Sequence, residues 1–210
     1  DAPELNRMRA LALMSHYAQG NFSQVTSGMA EIDPDMLADA ERDYLILVYA
    51  LSLMEEQRYD EAEAQLAILD VVSDLYDMEA TFYAAYANMK TKRYEIAEEG
   101  FSKTKDAAQY KRQSCYYLAE IALATKEYAD AERMAVAYLD EQGRDELTLE
   151  MKRIQGEALY GQRRYLSAAV VLEEYLAEAD TPKREVLYQL GMSHFNSGEH
   201  LRAPEVFAMI

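Results

Sequence analysis

The amino-acid sequence predicts an all-α fold, a solenoid of about six helical hairpins, and three observations predict it. Half of the 210 residues are apolar while Gly (8) and Pro (4) are scarce, a mix that favours helix and leaves little turn chemistry for an all-β fold. One aromatic-led phrase recurs six times along the chain. Apolar and small residues keep step with that phrase at helical spacings.

The phrase runs Gly20-Asn21-Phe22-Ser23-Gln24-Val25, then Arg58-Tyr59-Asp60-Glu61-Ala62, Arg93-Tyr94-Glu95-Ile96-Ala97 and Glu127-Tyr128-Ala129-Asp130-Ala131. Arg164-Tyr165-Leu166-Ser167-Ala168 and Glu199-His200-Leu201-Arg202-Ala203 complete it, with His200 in the aromatic slot. Successive aromatic slots lie 37, 35, 34, 37 and 35 residues apart, a period that signals stacked supersecondary units. Nine residues before each slot stand Leu13, Ala50, Ala85, Ala119, Gly156 and Gly191, mostly small, as two closely packed helices require. Three residues after it stand Val25, Ala62, Ala97, Ala131, Ala168 and Ala203, and seven after it Met29, Leu66, Phe101, Ala135, Leu172 and Phe207. A second helix with an apolar stripe at spacing four follows each turn.

On these columns the chain resembles the tetratricopeptide repeat family over essentially its whole length. The sixth repeat is the cleanest match, through Leu187, Leu190-Gly191, His194, the turn at His200, Ala203 and Phe207. The first departs most, because Leu13 and Val25 replace small residues, and looser or distorted packing is expected there. The resemblance implies a right-handed superhelical solenoid in one domain, 1–210, with repeats at about 6–39, 43–76, 78–111, 112–145, 149–182 and 184–210. Pro3 falls where the closing proline of a preceding repeat would stand, and Ile210 lies inside the second helix of repeat six, so a segment of a longer array is expected. The alternative for Pro3 is that it opens the first helix, where its missing N–H costs nothing. Pro204 is compatible with a helix only if the first turn begins near His200 or Leu201.

Charge and motif content narrow the function. A formal charge of -17 and a pI near 4.5 oppose binding to phosphate backbones or anionic lipid, both of which depend on Lys and Arg. Cys115 is the single cysteine, so neither an internal disulfide nor a cysteine-pair zinc site is available. The longest apolar stretch, Tyr44 to Leu51, is too short to span a bilayer. The chain starts at Asp1 without a signal layout and reads as a soluble mature or excised chain, at home in a bacterial cytoplasm or periplasm. His16, His194 and His200 never stand three or four apart, and no cofactor or metal is expected. Neither a phosphate loop nor a nucleophile elbow occurs, so no enzymatic activity is expected. The doublets Glu55-Glu56, Glu98-Glu99 and Glu173-Glu174 diverge by about 100 degrees on a helix and read as solvated faces. Asp70, Asp74 and Asp77 lack the Gly turn and closing Glu of a calcium loop.

What remains is the groove that the resemblance implies along the concave side, lined by first helices. Residues twelve, eight and five before each turn aromatic share one face of the first helix. They are Ala10, Met14 and Tyr17; Leu47, Leu51 and Met54; Phe82, Tyr86 and Met89; Tyr116, Glu120 and Leu123; Arg153, Glu157 and Tyr160; and Tyr188, Met192 and Phe195. Leu47, Leu51 and Leu123 read as core between repeats. The others, Ala10 apart, read as partner-binding, since Tyr combines contact area with a polar tip and Met adapts to uneven surfaces. Family members that bind chaperone tails carry a Lys and Asn carboxylate clamp, and Ala10, Met14, Leu47, Leu51, Phe82, Tyr86, Tyr116 and Glu120 offer none. A neutral or basic protein or peptide is therefore the expected partner, without nucleic acid or membrane insertion. Two alternatives are self-association through the end of the array at Phe207, Met209 and Ile210, and service as a regulatory domain of a larger protein.

Overall fold

The structure, a computed structural model, describes residues 2–73, 75–141 and 145–210, with the backbone alone for 70–72. Among the described residues there is no strand, and α-helices follow one another in pairs. In order they are α1 (Ala2–Ala18) and α2 (Phe22–Gly28), α3 (Asp39–Glu55) and α4 (Tyr59–Val72), α5 (Asp77–Lys90) and α6 (Tyr94–Thr104). Then come α7 (Lys111–Ala124) and α8 (Tyr128–Asp140), α9 (Thr148–Gly161) and α10 (Tyr165–Glu178), α11 (Arg184–Ser197) and α12 (Arg202–Phe207). The chain divides into two compact units, Asp1–Lys111 and Arg112–Ile210. Asp74 and the side chain of Asp70 lie outside the described residues, and with them the acidic run weighed above as a calcium loop.

Each turn has one backbone design. The residue two before every aromatic slot is left-handed: Gly20 (φ 76°), Gln57 (60°), Lys92 (63°), Lys126 (67°), Arg163 (61°) and Gly198 (91°). Its N–H donates three residues back, as from Lys92 to Met89, and the next N–H donates five back, as from Arg93 to Asn88 at 2.8 Å. The same pair of bonds closes the other five turns. This is the Schellman closure, which satisfies the last carbonyls of the first helix. Phe22, Tyr59, Tyr94, Tyr128 and Tyr165 each open the second helix directly. α12 begins at Arg202, two residues after His200, so Pro204 stands in its first turn as required. Pro3 likewise lies in the first turn of α1.

In three hairpins the packing between paired helices sets a glycine against a large side chain. A Cβ on Gly156 would come within 2.2 Å of the Leu172 side chain, and one on Gly191 within 2.5 Å of the Phe207 ring. The first hairpin inverts the arrangement: Leu13 supplies the bulk, and Gly28 on α2 leaves the room, with a hypothetical Cβ 2.6 Å from Leu13 Cδ2. Val25 and Leu13 are both buried, so this pair is not loose. The distortion lies further on, where α2 ends after seven residues and two short 3-10 turns (Met29–Glu31 and Pro34–Met36) carry the chain to α3. Asn6 fastens that detour to α1, donating to the Asp33 carbonyl and accepting from the Asp33 N–H, each at 2.9 Å.

Each unit has its own interior. In the first, Ala10, Leu13, Val25, Ile32, Leu37, Leu45 and Val48 form one cluster, and Ile46, Leu47, Ala50, Leu66, Leu69 and Ala80 the next. In the second, Ala119, Ala122, Ala131, Ala135, Tyr138, Met151, Ile154 and Ala158 pack between α7, α8 and α9, and Leu172, Val186, Leu187, Leu190 and Val206 close α10 against α11 and α12. First helices are neighbours within a unit: α1 touches α3, α3 touches α5, and α9 touches α11.

Candidate protein-binding face

In the first unit the expected stripe falls on the side where α1, α3 and α5 lie next to one another. Met14 and Tyr17 are half-buried against the first cluster, and Met54 against the second, beside Leu51, Tyr76 and Tyr83. Leu47 is buried, as core between repeats should be. Tyr86 and Met89 are half-buried; Tyr86 meets the Tyr59 ring edge-on at 6.5 Å and carries Lys90 Nζ 5.0 Å from its centroid. Phe82 departs from the expectation. It is 6% exposed, stacked on Tyr110 at 4.5 Å and edge-on to Phe101 at 5.6 Å. An unbranched aromatic with no polar tip gains most by full burial, and the rings of Phe101 and Tyr110 receive it.

Three groups missing from the expected set share this side. Tyr17's phenol is pushed above its ordinary value, first by its own burial and then by neighbouring Tyr83, Tyr44 and Glu55. Burial, then Glu79, pushes the Tyr83 phenol up as well. Tyr44 and Tyr76 lie 6.3 Å apart, centroid to centroid. Relative to the turn aromatic, Tyr44, Tyr83 and Glu55 stand at fifteen, eleven and four residues before it. These positions make a second stripe one step around the helix from the first, which a wider helical sector would have included.

In the second unit the same three-position stripe gives a different surface. Arg153 is 4% exposed and is held on every side by carboxylates. Its Nε donates to Glu150 at 2.8 Å, one terminal nitrogen donates to Glu157 at 2.6 Å, and the other donates to Glu120 on α7. Tyr116 donates its hydroxyl to Glu120 at 2.8 Å, Lys183 donates to Glu150 at 3.0 Å, and Gln189 on α11 donates to Glu157 at 3.4 Å. Burial alone would lower the Arg153 guanidinium; Glu120, Glu157 and Glu150 hold it well above its ordinary value instead. Glu150 is pushed up by burial, but Arg153 and Lys183 draw it below the usual carboxylate range. Arg153, Glu120 and Glu157 therefore serve one another, and the cluster fastens three successive first helices together.

Beyond that cluster the stripe opens. Tyr160 is half-buried beside Tyr165 at 5.8 Å, Met192 is half-buried, and Tyr188 and Phe195 are 52% and 53% exposed. A recurrent pairing explains part of the burial at the position five before the turn aromatic. Tyr17 meets Phe22 at 5.9 Å, Tyr160 meets Tyr165 at 5.8 Å, and Phe195 meets His200 at 5.2 Å. His200 thus fills the aromatic slot in contact as well as in sequence. Phe207 is also engaged at home, 6.1 Å from Tyr188 and over Gly191, whereas Met209 and Ile210 are exposed.

Among the described residues no group of three His, Cys, Asp or Glu is placed to hold a metal ion, and no helix is long and apolar enough to cross a membrane. No protein-family model and no curated relative matches the sequence. Solved structures do. MamA (41-end) from Desulfovibrio magneticus RS-1 superposes with a TM-score of 0.69 at 17% identity, covering 80% of this chain and 92% of that one. The apo form of the quorum sensor NprR from B. thuringiensis gives 0.77 at 11% identity, over 100% of this chain and 64% of the other. The tetratricopeptide-like repeats of a putative kinesin light chain from Podosopora anserina give 0.60 at 15% identity, over 80% and 92%. At these identities the likeness speaks for the fold, and the fold is that of the tetratricopeptide-like repeat proteins.

Proposed function

We propose that this chain is a non-catalytic protein-binding module that takes a peptide or helix of a partner protein on the face built by its first helices. The observation that carries the reading is the half-buried stripe of Met14, Tyr17, Met54, Tyr86 and Met89, one rigid side of three adjacent helices. Half-buried tyrosines and methionines present contact area whose ordering cost folding has already met, which is what an interface anchor needs. Tyr160, Tyr188, Met192 and Phe195 extend the same chemistry on the second unit, while Phe82, Arg153, Glu120 and Glu157 support these surfaces from within. The test is capture of a partner by the intact chain beside Tyr86→Ala and Met89→Ala variants of verified helicity, with Leu166→Ser, exposed on α10, as a control. Each anchor truncation is expected to weaken capture by about 2 kcal/mol; capture lost equally with Leu166→Ser, or unaffected by all three, would sink the assignment.

An architectural reading has one observation in its favour. Leu5, Met8 and Leu11 leave an apolar side of α1 in the open, a surface that another hairpin or another copy would cover. Light scattering against concentration decides it: an oligomer dispersed by Met8→Lys supports the architectural role, and a monomer at all concentrations counts against pairing between copies.

A further inference from the structure

Successive hairpins within each unit are joined through the same columns. The first helix of the later hairpin contributes the residue fourteen before its turn position, and the second helix of the earlier one contributes the residues seven and ten after its own. Leu45 thus shares a cluster with Ile32, Ala80 with Leu66 and Leu69, Met151 with Ala135 and Tyr138, and Val186 with Leu172 and Tyr175. At these four joints Leu45, Ala80, Met151 and Val186 are at most 2% exposed, and Ile32, Leu69, Tyr138 and Tyr175 at most 8%. On α1 the same first-helix column holds Met8, and it is 63% exposed, between Leu5 at 52% and Leu11 at 48% on one side of the helix. After α12 the same second-helix column holds Ile210, 41% exposed. Both halves of the joint are therefore on the molecule without a hairpin to complete them.

Resting on the architectural reading above, and independently of the groove, we infer that copies of this chain join head to tail, with Phe207 and Ile210 of one copy seated on Met8 and Leu11 of the next. Each copy supplies the half-joint that its neighbour lacks, in the register by which α4 meets α5 and α10 meets α11. The occupant follows from the four internal joints: what covers the counterparts of Met8 there is a second-helix column, never another first helix's copy of the same column. Phe207 keeps its place over Gly191 in such a contact, just as Leu172 lies over Gly156 and still packs with Val186. The stripe Leu5, Met8 and Leu11 carries no charge, so covering it removes apolar surface from water without stranding an ion. The contact is heterologous, and an open dimer leaves one half of each kind free for a further copy.

Sedimentation velocity of the full chain over a range of concentrations tests this, with Met8→Lys, Ile210→Lys and an equimolar mixture of the two. All the replaced side chains are exposed, so the variants keep their fold. The unaltered chain is expected to grow in size with concentration, and each variant alone to need about tenfold more protein for the same association. The mixture is expected to recover association but to stop at a dimer, because the Met8→Lys copy still offers Ile210 and the Ile210→Lys copy still offers Met8. Leu166→Lys, the same change of charge on the exposed side of α10, is expected to shift association less than about twofold. If Met8→Lys disperses the oligomer while Ile210→Lys does not, the architectural reading stands and the head-to-tail joint falls. A mixture that stays as dispersed as its components also overturns the joint, as does a Leu166→Lys chain dispersed as far as Met8→Lys. A monomer at every concentration removes the joint and pairing between copies together.

Discussion

The two units build their first-helix faces from the same repeat columns and reach opposite results. In the N-terminal unit the columns hold Met14, Tyr17, Met54, Tyr86 and Met89, thioethers and phenols that stay half-buried. In the C-terminal unit Tyr116, Glu120, Arg153 and Glu157 turn towards one another, and the charges are consumed in tying α7, α9 and α11 together. A repeat column thus specifies where a side chain sits, not whether it is available. Availability depends on whether the neighbouring repeats supply its partner.

The strongest way to break this comparison is Arg153→Ala. It strands Glu120, Glu150 and Glu157 around an empty site, and a loss of about 3–5 kcal/mol is expected in urea unfolding; a loss below about 1 kcal/mol would mean the cluster is not structural. Next in size, Gly28→Val forces a branched side chain onto Leu13 and is expected to cost about 1–3 kcal/mol. Adding Leu13→Ala should recover part of it, and a double-mutant cycle with no coupling would show that the inverted pair does not interlock.

Acid should also separate the units. Glu150 is held below its ordinary value of 4.5, and Asp145 below 3.8, where burial pushes upward but the Tyr138 and Thr148 hydroxyls and Arg112 prevail. A carboxylate depressed by folding contributes stability that is complete above its unfolded value and is lost as pH falls through its folded one. The stability of the C-terminal unit should therefore decline as pH falls below about 4.5, with the decline reduced in Arg153→Met. Hydrogen exchange resolved along the chain checks this, and an unchanged acid limb in the variant would remove Arg153 as the cause. The smallest effect concerns the turns: Lys92→Gly and Lys126→Gly relieve a left-handed L-residue and should each stabilise by about 0.5–1 kcal/mol, seen as a rise in Tm.

The helices and their pairing were legible because Tyr59, Tyr94, Tyr128 and Tyr165 mark both the period and the start of a helix. The candidate face was legible only where a side chain had one dominant tendency. Tyr188, with its polar tip, stays open and Leu47 is buried, as their chemistry and place suggest. Phe82 was not legible, since its burial depends on Tyr110, a residue of the α6–α7 connection outside the repeat columns. Nor was Arg153, whose three carboxylates come from two helices more than thirty residues apart in sequence. The two histidines of one column make the same point. His194 places its ring nitrogens 2.6 Å from Glu199 and 3.2 Å from Glu173, whereas His16 Nδ1 is buried with no hydrogen-bond partner. Both stand six residues before the turn position, Phe22 or His200, and only the surroundings made one of them a bridge.

The six left-handed turns bear on how such a chain changes over generations. Their closing hydrogen bonds run between main-chain atoms, so Gln57, Lys92, Lys126 and Arg163 fill a place that Gly20 and Gly198 fill at the two ends of the series. Identity at that place is free to wander while geometry is inherited. A chain built on such joints can keep its form whichever residue stands there, and a solved structure that shares 11% identity with it still superposes with a TM-score of 0.77.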